Sequence, residues 1–389
     1  MEKQKDPIFT VVYIHGWHHN AQSDDNNFIK FNDLLARVSY QLNTQHPQVK
    51  YKLLGIYIGW QGEKSNNKLT TLFTIRSRAC AADIVALGID AKKCNDINNH
   101  TLEKNNSDLY KDLISISGLL KNNDQSRMLI IGHSLGGRIV SNLFLQDVQD
   151  ENSHLGNQTL ITTVNPAICA RRYDSIYKNV KDVQSFKKPI WINITSDGDT
   201  ATKWFYPISR IFRKERGFLT IGHTDSYITH DLKSDFLGSY ICQYNGNFSS
   251  SFSTCSLKDA GIKDAYKYNK FTIRPNWIFN SYSSSDSFTV FPELIKNSNG
   301  SYEYKVDCSG RNNQGVCPKD HQNIYIDVNR IRIIPKVNNQ YPLQGKLWNI
   351  RTDKEFIDYR GDAATISGKH NAYVDSALIS LLVDRTLDL

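Results

Sequence analysis

The sequence predicts an α/β protein, a mostly parallel, doubly wound sheet with a long insertion ahead of its last strand. Three observations lead there. Short and almost uninterrupted apolar runs recur along the first 200 residues, stretches of helical length separate them, and this rhythm stops near Ala201 and returns only near Lys346. Near-continuous apolarity over about five or six residues marks strands buried on both faces, as in parallel sheets. Alternation of such strands with helices builds a sheet covered on both sides. The expected division is therefore a core of residues 1–200 and 346–389, with 201–345 inserted between them as a cap or lid.

Taken in order, the predicted strands are FTVVYIHG from Phe9, YKLLGIYIGW from Tyr51, RMLIIGHS from Arg127, LITTVNPA from Leu160 and PIWINITSD from Pro189. Helical patterns fall between them in NNFIKFNDLLARVSYQL, LTTLFTIRSRACAADIVALG and SDLYKDLISISGLLKN. The insertion is rich in Ser, Asn, Tyr and Gly and shows no sustained period. After it, GKLWNIRTDK reads as a sixth strand and NAYVDSALISLLVDRTL as a closing helix.

Composition narrows the function. The formal charge of +8 is mild, and no Lys/Arg block, finger spacing or basic helix marks a nucleic-acid reader. No apolar run approaches the roughly 20 residues that cross a bilayer, and the start MEKQKDPIFT lacks the apolar stretch of a signal peptide. The expectation is a soluble chain, cytoplasmic or exported by a non-classical route. Six of the seven cysteines form neighbouring couples, Cys80 with Cys94, Cys242 with Cys255 and Cys308 with Cys317, leaving Cys169. These couples suit short-loop disulfides and buried thiols equally well. No Cys/His spacing suits zinc, and the sequence implies no cofactor.

The chemistry concentrates in MLIIGHSLGGRIV. Here G-H-S-L-G, Gly132 to Gly136, lies between an apolar strand and a helix. A serine on so sharp a turn presents its hydroxyl above the sheet, and the glycines two before and two after relieve the crowding. Ser134 is the expected nucleophile. The backbone N–H of Leu135, at the start of the helix, faces the place where an oxyanion would form. The segment resembles the nucleophile elbow of the α/β-hydrolase fold, and within it the lipase-type GHSLGG form.

That resemblance implies a catalytic acid after a later strand and a histidine after the last. WINITSDGDTATKW supplies Asp197 and Asp199, either of which is placed to orient a histidine. The Asp-x-Ala-Thr run, similar to a group of bacterial and fungal hydrolases, favours Asp199. Both also suit the cap of the next helix. His370, in SGKHNAYVD between the sixth strand and the closing helix, is the expected general base. His223 and His230 lie inside the insertion, while Asp358 and Asp362 follow the last strand, which makes them weaker candidates.

YIHGW after the first strand is similar to the His-Gly-X turn of α/β-hydrolases. The resemblance implies Trp17 as the second oxyanion donor, through its backbone N–H, and His15 as a packed structural residue. His18, His19, Asp24 and Asp25 are adjacent, but adjacency does not converge ligands on a metal, and SDDNN reads as the cap of the following helix. No metal is assigned. GIYIGWQG, RSRACAADIVALG, VNPAICARRY and TIGHTDSYITHDL extend the resemblance over the core.

Directly after the acid loop, TKWFYPISRIFRKERGF sets Trp204, Phe205, Ile208, Ile211 and Phe212 among five cationic residues. This suits a lid in peripheral contact with anionic membrane; a plain cap packing its apolar side over the site is the simpler reading, and Pro207 limits the helix. The implied activity is carboxylic ester hydrolysis through an acyl-enzyme, by a lipase or phospholipase or by a carboxylesterase. A protein acyl-thioesterase and a non-catalytic binding protein of the same fold are the alternatives. The expected substrate is accordingly a lipid or a small ester.

Overall fold

The computed structural model describes residues 6–17, 19–61, 71–89, 107–149, 155, 157–180, 188–208, 219–243, 252–255, 278–282, 287–288, 291–296, 302–307, 323–336, 345–352, 370 and 376–389. Two compact units emerge, one of Met1–Leu232 with Ile334–Leu389, the other of Lys233–Ile333.

In the first unit, β1 (Ile8–Ile14) is buried along almost its whole length. The helix α1 (Asn26–Gln45) follows, capped by Asp25, whose carboxylate accepts from the Asn27 amide at 2.7 Å. β2 (Lys52–Ile58) pairs parallel to β1. It departs from the expectation of a strand buried on both faces. β2 ends the sheet, and Leu54 on it is 45% exposed. α2 (Thr71–Leu87) and α3 (Asp108–Leu120) lead to β3 (Arg127–His133), with the Ser107 hydroxyl capping α3 through Tyr110 N–H at 3.1 Å. α3 turns Tyr110, Leu113, Ser117 and Leu120 inward, the spacing of one helical face.

β3 runs into α4 (Leu135–Gln149), then β4 (Thr159–Val164), α5 (Ala170–Asn179) and β5 (Trp191–Ser196). A π-helical turn at Ala201–Phe205 and a short α6 (Tyr206–Ile208) follow. Next comes β6 (His230–Gln243), whose first residues, His230 to Leu232, belong to this unit. Five short strands and the longer β12 (Asn323–Pro335) separate it from β13 (Leu347–Thr352), and α7 (Ser376–Leu387) closes the chain. The parallel order is β2-β1-β3-β4-β5-β13-β6.

Helices cover both faces of this sheet. α2, α4 and α5 pack in a row on one side, and α1 lies against α7 on the other. Gln41 and Asp384 join that second pair through a buried hydrogen bond of 2.9 Å. The larger apolar core lies under α4, where Met128, Ile130, Ile139, Phe144, Tyr173 and Trp191 meet. Burying side chains of this size stabilises by about 1.5–3 kcal/mol each, so both layers are anchored before any polar contact is considered.

Residues 219–232 pack within the first unit too, although their composition groups them with the insertion. Asn349 on β13 explains this. Its side-chain amide donates to the carbonyls of Ile221 at 3.0 Å and Tyr227 at 2.9 Å. Its amide oxygen accepts from Asn193 on β5. A buried asparagine requires such partners, and here they are the backbone of this segment.

The second unit is antiparallel where it is described. β10 (Phe291–Lys296) pairs with β11 (Tyr302–Asp307), which pairs with β7 (Phe252–Cys255). β12 pairs with β8 (Ile278–Tyr282), and β8 with the two-residue β9 (Ser287–Phe288). Cys80 takes part in a disulfide and Cys169 is buried. Cys94, Cys308 and Cys317 lie outside the described residues.

Candidate active site

Ser134 occupies the one-residue turn between β3 and α4, with φ at +55°. A non-glycine residue there costs about 1–2 kcal/mol, and the surroundings hold it in place. Its N–H donates to the Val164 carbonyl at 3.1 Å, and its own carbonyl accepts from Ala167 at 3.0 Å and Arg138 at 3.2 Å. The glycines of the motif have a steric reason. A side chain on Gly136 would run into the carbonyls of Ile14 and His15, and one on Gly132 would meet the Gly136 carbonyl oxygen at 2.6 Å. So the start of α4 can approach the end of β1, and Ser134 is lifted over the sheet.

The His370 imidazole reaches this serine from more than 200 residues away. Its Nε2 lies 2.7 Å from Ser134 Oγ, and its Nδ1 lies 2.9 Å from Asp199 Oδ1. The carboxylate accepts only from a protonated Nδ1. Nε2 is then the acceptor for the serine hydroxyl. Asp199 is fully buried. Burial by itself raises its pKa, but the neighbouring His370, with hydrogen bonds from His370 and Thr202, holds it below the usual carboxylate range.

Thr202 supplies both its backbone N–H, 3.1 Å from Asp199 Oδ1, and its hydroxyl, which donates to Oδ2. The capping role and the histidine-orienting position thus fall on one residue. Because the Thr202 hydroxyl proton is given to Asp199, its oxygen accepts from His223 Nε2 at 3.2 Å. Burial pushes the His223 pKa down, with Asp199 opposing that shift, so this ring is a neutral Nε2–H donor. Thr202 was legible only as the fourth residue of Asp-x-x-Thr, a capping spacing.

Asp197 has a different environment. It is 40% exposed at the side chain and pairs with Arg351 at 3.6 Å, alongside Asp231 at 3.5 Å and Asp225. His230 packs its ring on Trp348 and bonds Thr229. Asp358 and Asp362 lie outside the described residues.

The opening turn is structural on its histidine side. His15 Nδ1 donates to the Gly16 carbonyl at 2.7 Å, Nε2 accepts from the Trp60 N–H at 3.1 Å, and the ring stacks between Tyr57 and Trp60. Burial lowers its pKa, against hydrogen bonds to the backbone. A Cβ on Gly16 would sit 2.9 Å from Ser134 Cβ, so the backbone just before Trp17 passes close beside the serine. His19 bonds the capping Asp25 at 3.2 Å, and His18 lies outside the described residues. Among the described residues no group of three metal-binding side chains converges.

Of the segment after the acid loop, Trp204 is 58% exposed, whereas Tyr206 is buried and its hydroxyl accepts from Arg138 at 2.6 Å. Arg138 also grips Asp83 with two bonds of 2.7 Å, and Asn142 adds a third to that carboxylate. This buried network ties α2, α4 and the residues behind Asp199 together. Phe205 and Ile208 lie on the described backbone of the π turn and α6. Ile211 and Phe212 lie outside the described residues.

A parallel sheet in this order, helices on both faces and a serine at a left-handed strand-to-helix turn are the features of the α/β-hydrolase fold. No protein-family model matches the chain, and no curated protein sequence does. Among solved structures it is similar to LpqC, a poly(3-hydroxybutyrate) depolymerase from Bordetella parapertussis, at 13% identity and a TM-score of 0.29, covering 52% of this chain and 60% of that one. It is also similar to an inhibited esterase B from Lactobacillus rhamnosis, at 15% identity and a TM-score of 0.27, covering 55% of this chain and 63% of the other. The chain thus spans less than two thirds of either protein. Among the described residues no helix is long and apolar enough to cross a membrane.

Proposed function

We propose that the protein is a serine hydrolase cleaving carboxylic esters through an acyl-enzyme. The observation that carries this reading is the unbroken series from Asp199 through His370 to Ser134, with bonds of 2.9 and 2.7 Å. Ser134 Oγ attacks the ester carbonyl carbon as its proton passes to His370 Nε2. The tetrahedral intermediate collapses by breaking the bond to the alcohol oxygen, which takes the Nε2 proton and leaves as the alcohol. Water then attacks the acyl-serine, again giving a proton to Nε2, and Ser134 regains that proton as the carboxylic acid departs. Asp199 holds the ring and stabilises the transient imidazolium. The N–H groups of Trp17 and Leu135 face the oxyanion, a role supported by the contact of Gly16 with Ser134 and by the place of Leu135 at the start of α4.

For substrate we infer a lipid, as for a lipase or phospholipase. Trp204, 58% exposed one turn beyond Asp199, and Leu219, 40% exposed, support an apolar contact next to the site. An indole at such a position suits a membrane interface.

Ser134→Ala is expected to lower kcat on p-nitrophenyl esters by about 10⁶-fold, and His370→Ala similarly. Ser134→Ala also abolishes labelling by a fluorophosphonate probe. Full activity in Ser134→Ala overturns the assignment. On phospholipid vesicles containing anionic headgroups, Trp204→Ala loses more rate than it does on a monomeric short-chain ester. Equal loss on both substrates removes the membrane reading and favours a soluble esterase.

A further inference from the structure

We propose that Asn165 is a positioning residue for the base, a bracket that locks the His370 backbone to the strand end from which the acid loop departs. The inference rests on the serine-hydrolase reading and deepens it. Asn165 follows β4, is fully buried and has φ at +46°, the only non-glycine besides Ser134 in the left-handed region among the described residues. Both ends of its side-chain amide are used. Nδ2 donates to the His370 carbonyl at 3.0 Å, and Oδ1 accepts from the Ser196 N–H at 2.9 Å. Ser196 is the last residue of β5, and its carbonyl and hydroxyl accept from the amides of Asp199 at 3.0 Å and Gly198 at 3.1 Å. One side chain therefore joins the backbone carrying the base to the backbone from which the acid is hung.

His133, beside the nucleophile, places a second donor on the same carbonyl, Nε2 to His370 O at 2.8 Å. With two fixed donors on its carbonyl, His370 has its main chain placed independently of its ring. The ring is then free to satisfy Ser134 and Asp199 together. A turn with φ at +46° needs only glycine, which adopts it without strain. Asparagine tolerates that conformation and adds what glycine lacks, a donor and an acceptor on opposite sides. Aspartate has the shape but not the donor.

Two variants of the full chain separate the roles. Asn165→Gly keeps the turn and removes the amide, while Asn165→Asp keeps size and turn but sets an oxygen against the His370 carbonyl. The expected result in both is a fall in kcat of about 10²-fold on a monomeric p-nitrophenyl ester, the scale of a misplaced catalytic group, with KM at the wild-type value. The ratio of Asn165→Asp to wild-type kcat rises as pH falls, because burial raises the pKa of the new carboxyl and its protonated form regains a donor. The ratio for Asn165→Gly does not change with pH. Wild-type kcat in a folded Asn165→Gly or Asn165→Asp protein leaves Asn165 a turn residue and overturns the proposal. If circular dichroism shows Asn165→Gly unfolded, Asn165→Asp decides alone. A wild-type protein that neither turns over esters nor takes up fluorophosphonate overturns the serine-hydrolase reading and this bracket with it. A labelled wild type with unaffected variants overturns only the bracket.

Discussion

Asp197 and Asp199 stand two residues apart at the end of the same strand, yet one faces the interior of the site and the other its rim. Asp199 is wholly buried and is met by a histidine ring, a backbone amide and a hydroxyl. Asp197 is 40% exposed and shares Arg351 with two other carboxylates. The contrast teaches that desolvation, and not residue type or loop position, decides which carboxylate is held to one task. A buried charge persists only where partners meet its lone pairs. At the rim water does much of that work and individual ion pairs weaken.

The sharpest test exchanges each aspartate for asparagine. Asp199→Asn is expected to lower kcat by about 10⁴-fold, because an amide favours the wrong imidazole tautomer, whereas Asp197→Asn leaves kcat nearly unchanged. Comparable losses in both would break the distinction. Next comes Asp83, the interior carboxylate gripped by Arg138. Asp83→Asn leaves a buried guanidinium without its counter-charge and should cost about 3–5 kcal/mol in denaturant unfolding. A loss below about 1 kcal/mol, the range of exposed pairs, would place Asp83 with the rim.

Thr202→Val keeps the shape but removes the hydroxyl donor to Asp199. Bonds to charged groups contribute about 1.5–3 kcal/mol, so kcat/KM should fall by roughly 10- to 100-fold, and a wild-type value would mean that the backbone amide alone orients the acid. The acid limb of stability sharpens the contrast further. Asp83 and Asp199 both hold folded pKa values below their usual 3.8. Their contribution is present above that value and is lost as pH falls through the folded values. As pH falls below about 3.8 the unfolding free energy of wild type should therefore drop more steeply than that of Asp83→Asn, as read by urea titration at each pH. The smallest effect is expected at the rim, where Arg351→Gln should change stability by about 0–1 kcal/mol.

Much of this fold was legible from pattern. The runs from Phe9, Arg127, Leu160 and Pro189 announced their strands because strands buried on both faces are largely apolar, while the last strand, LWNIRT, carries Asn349 and Arg351 among its apolar residues. The run from Tyr51 announced a strand as well, but not its place at the edge, since a neighbour's absence leaves no mark on a strand's own residues. α5 has no counterpart among the predicted helices, because its ARRYDSIYKN stretch is polar on average and so short that few residues, Tyr173 and Ile176 chief among them, mark its buried side. Composition sets the start of the insertion at residue 201, whereas the second compact unit begins at Lys233. The polar stretch between is held by Asn349, whose contacts span more than 100 residues.

By itself the sequence determined the parallel α/β pattern and the strand-to-helix turn at Ser134, whose close approach requires Gly132 and Gly136. It also determined a short list of partners, namely two aspartates and a histidine after the last strand. Periodicity and turn sterics are local, so a few consecutive residues record them. Only the tertiary structure brought Asp199, and not Asp197, to His370, satisfied His15 as a packed ring, and gathered Thr202, His133 and Asn165 around Asp199 and His370. Those outcomes depend on burial and on hydrogen bonds between residues 171, 205 and 236 positions apart, and no local pattern encodes which distant atom meets a given lone pair.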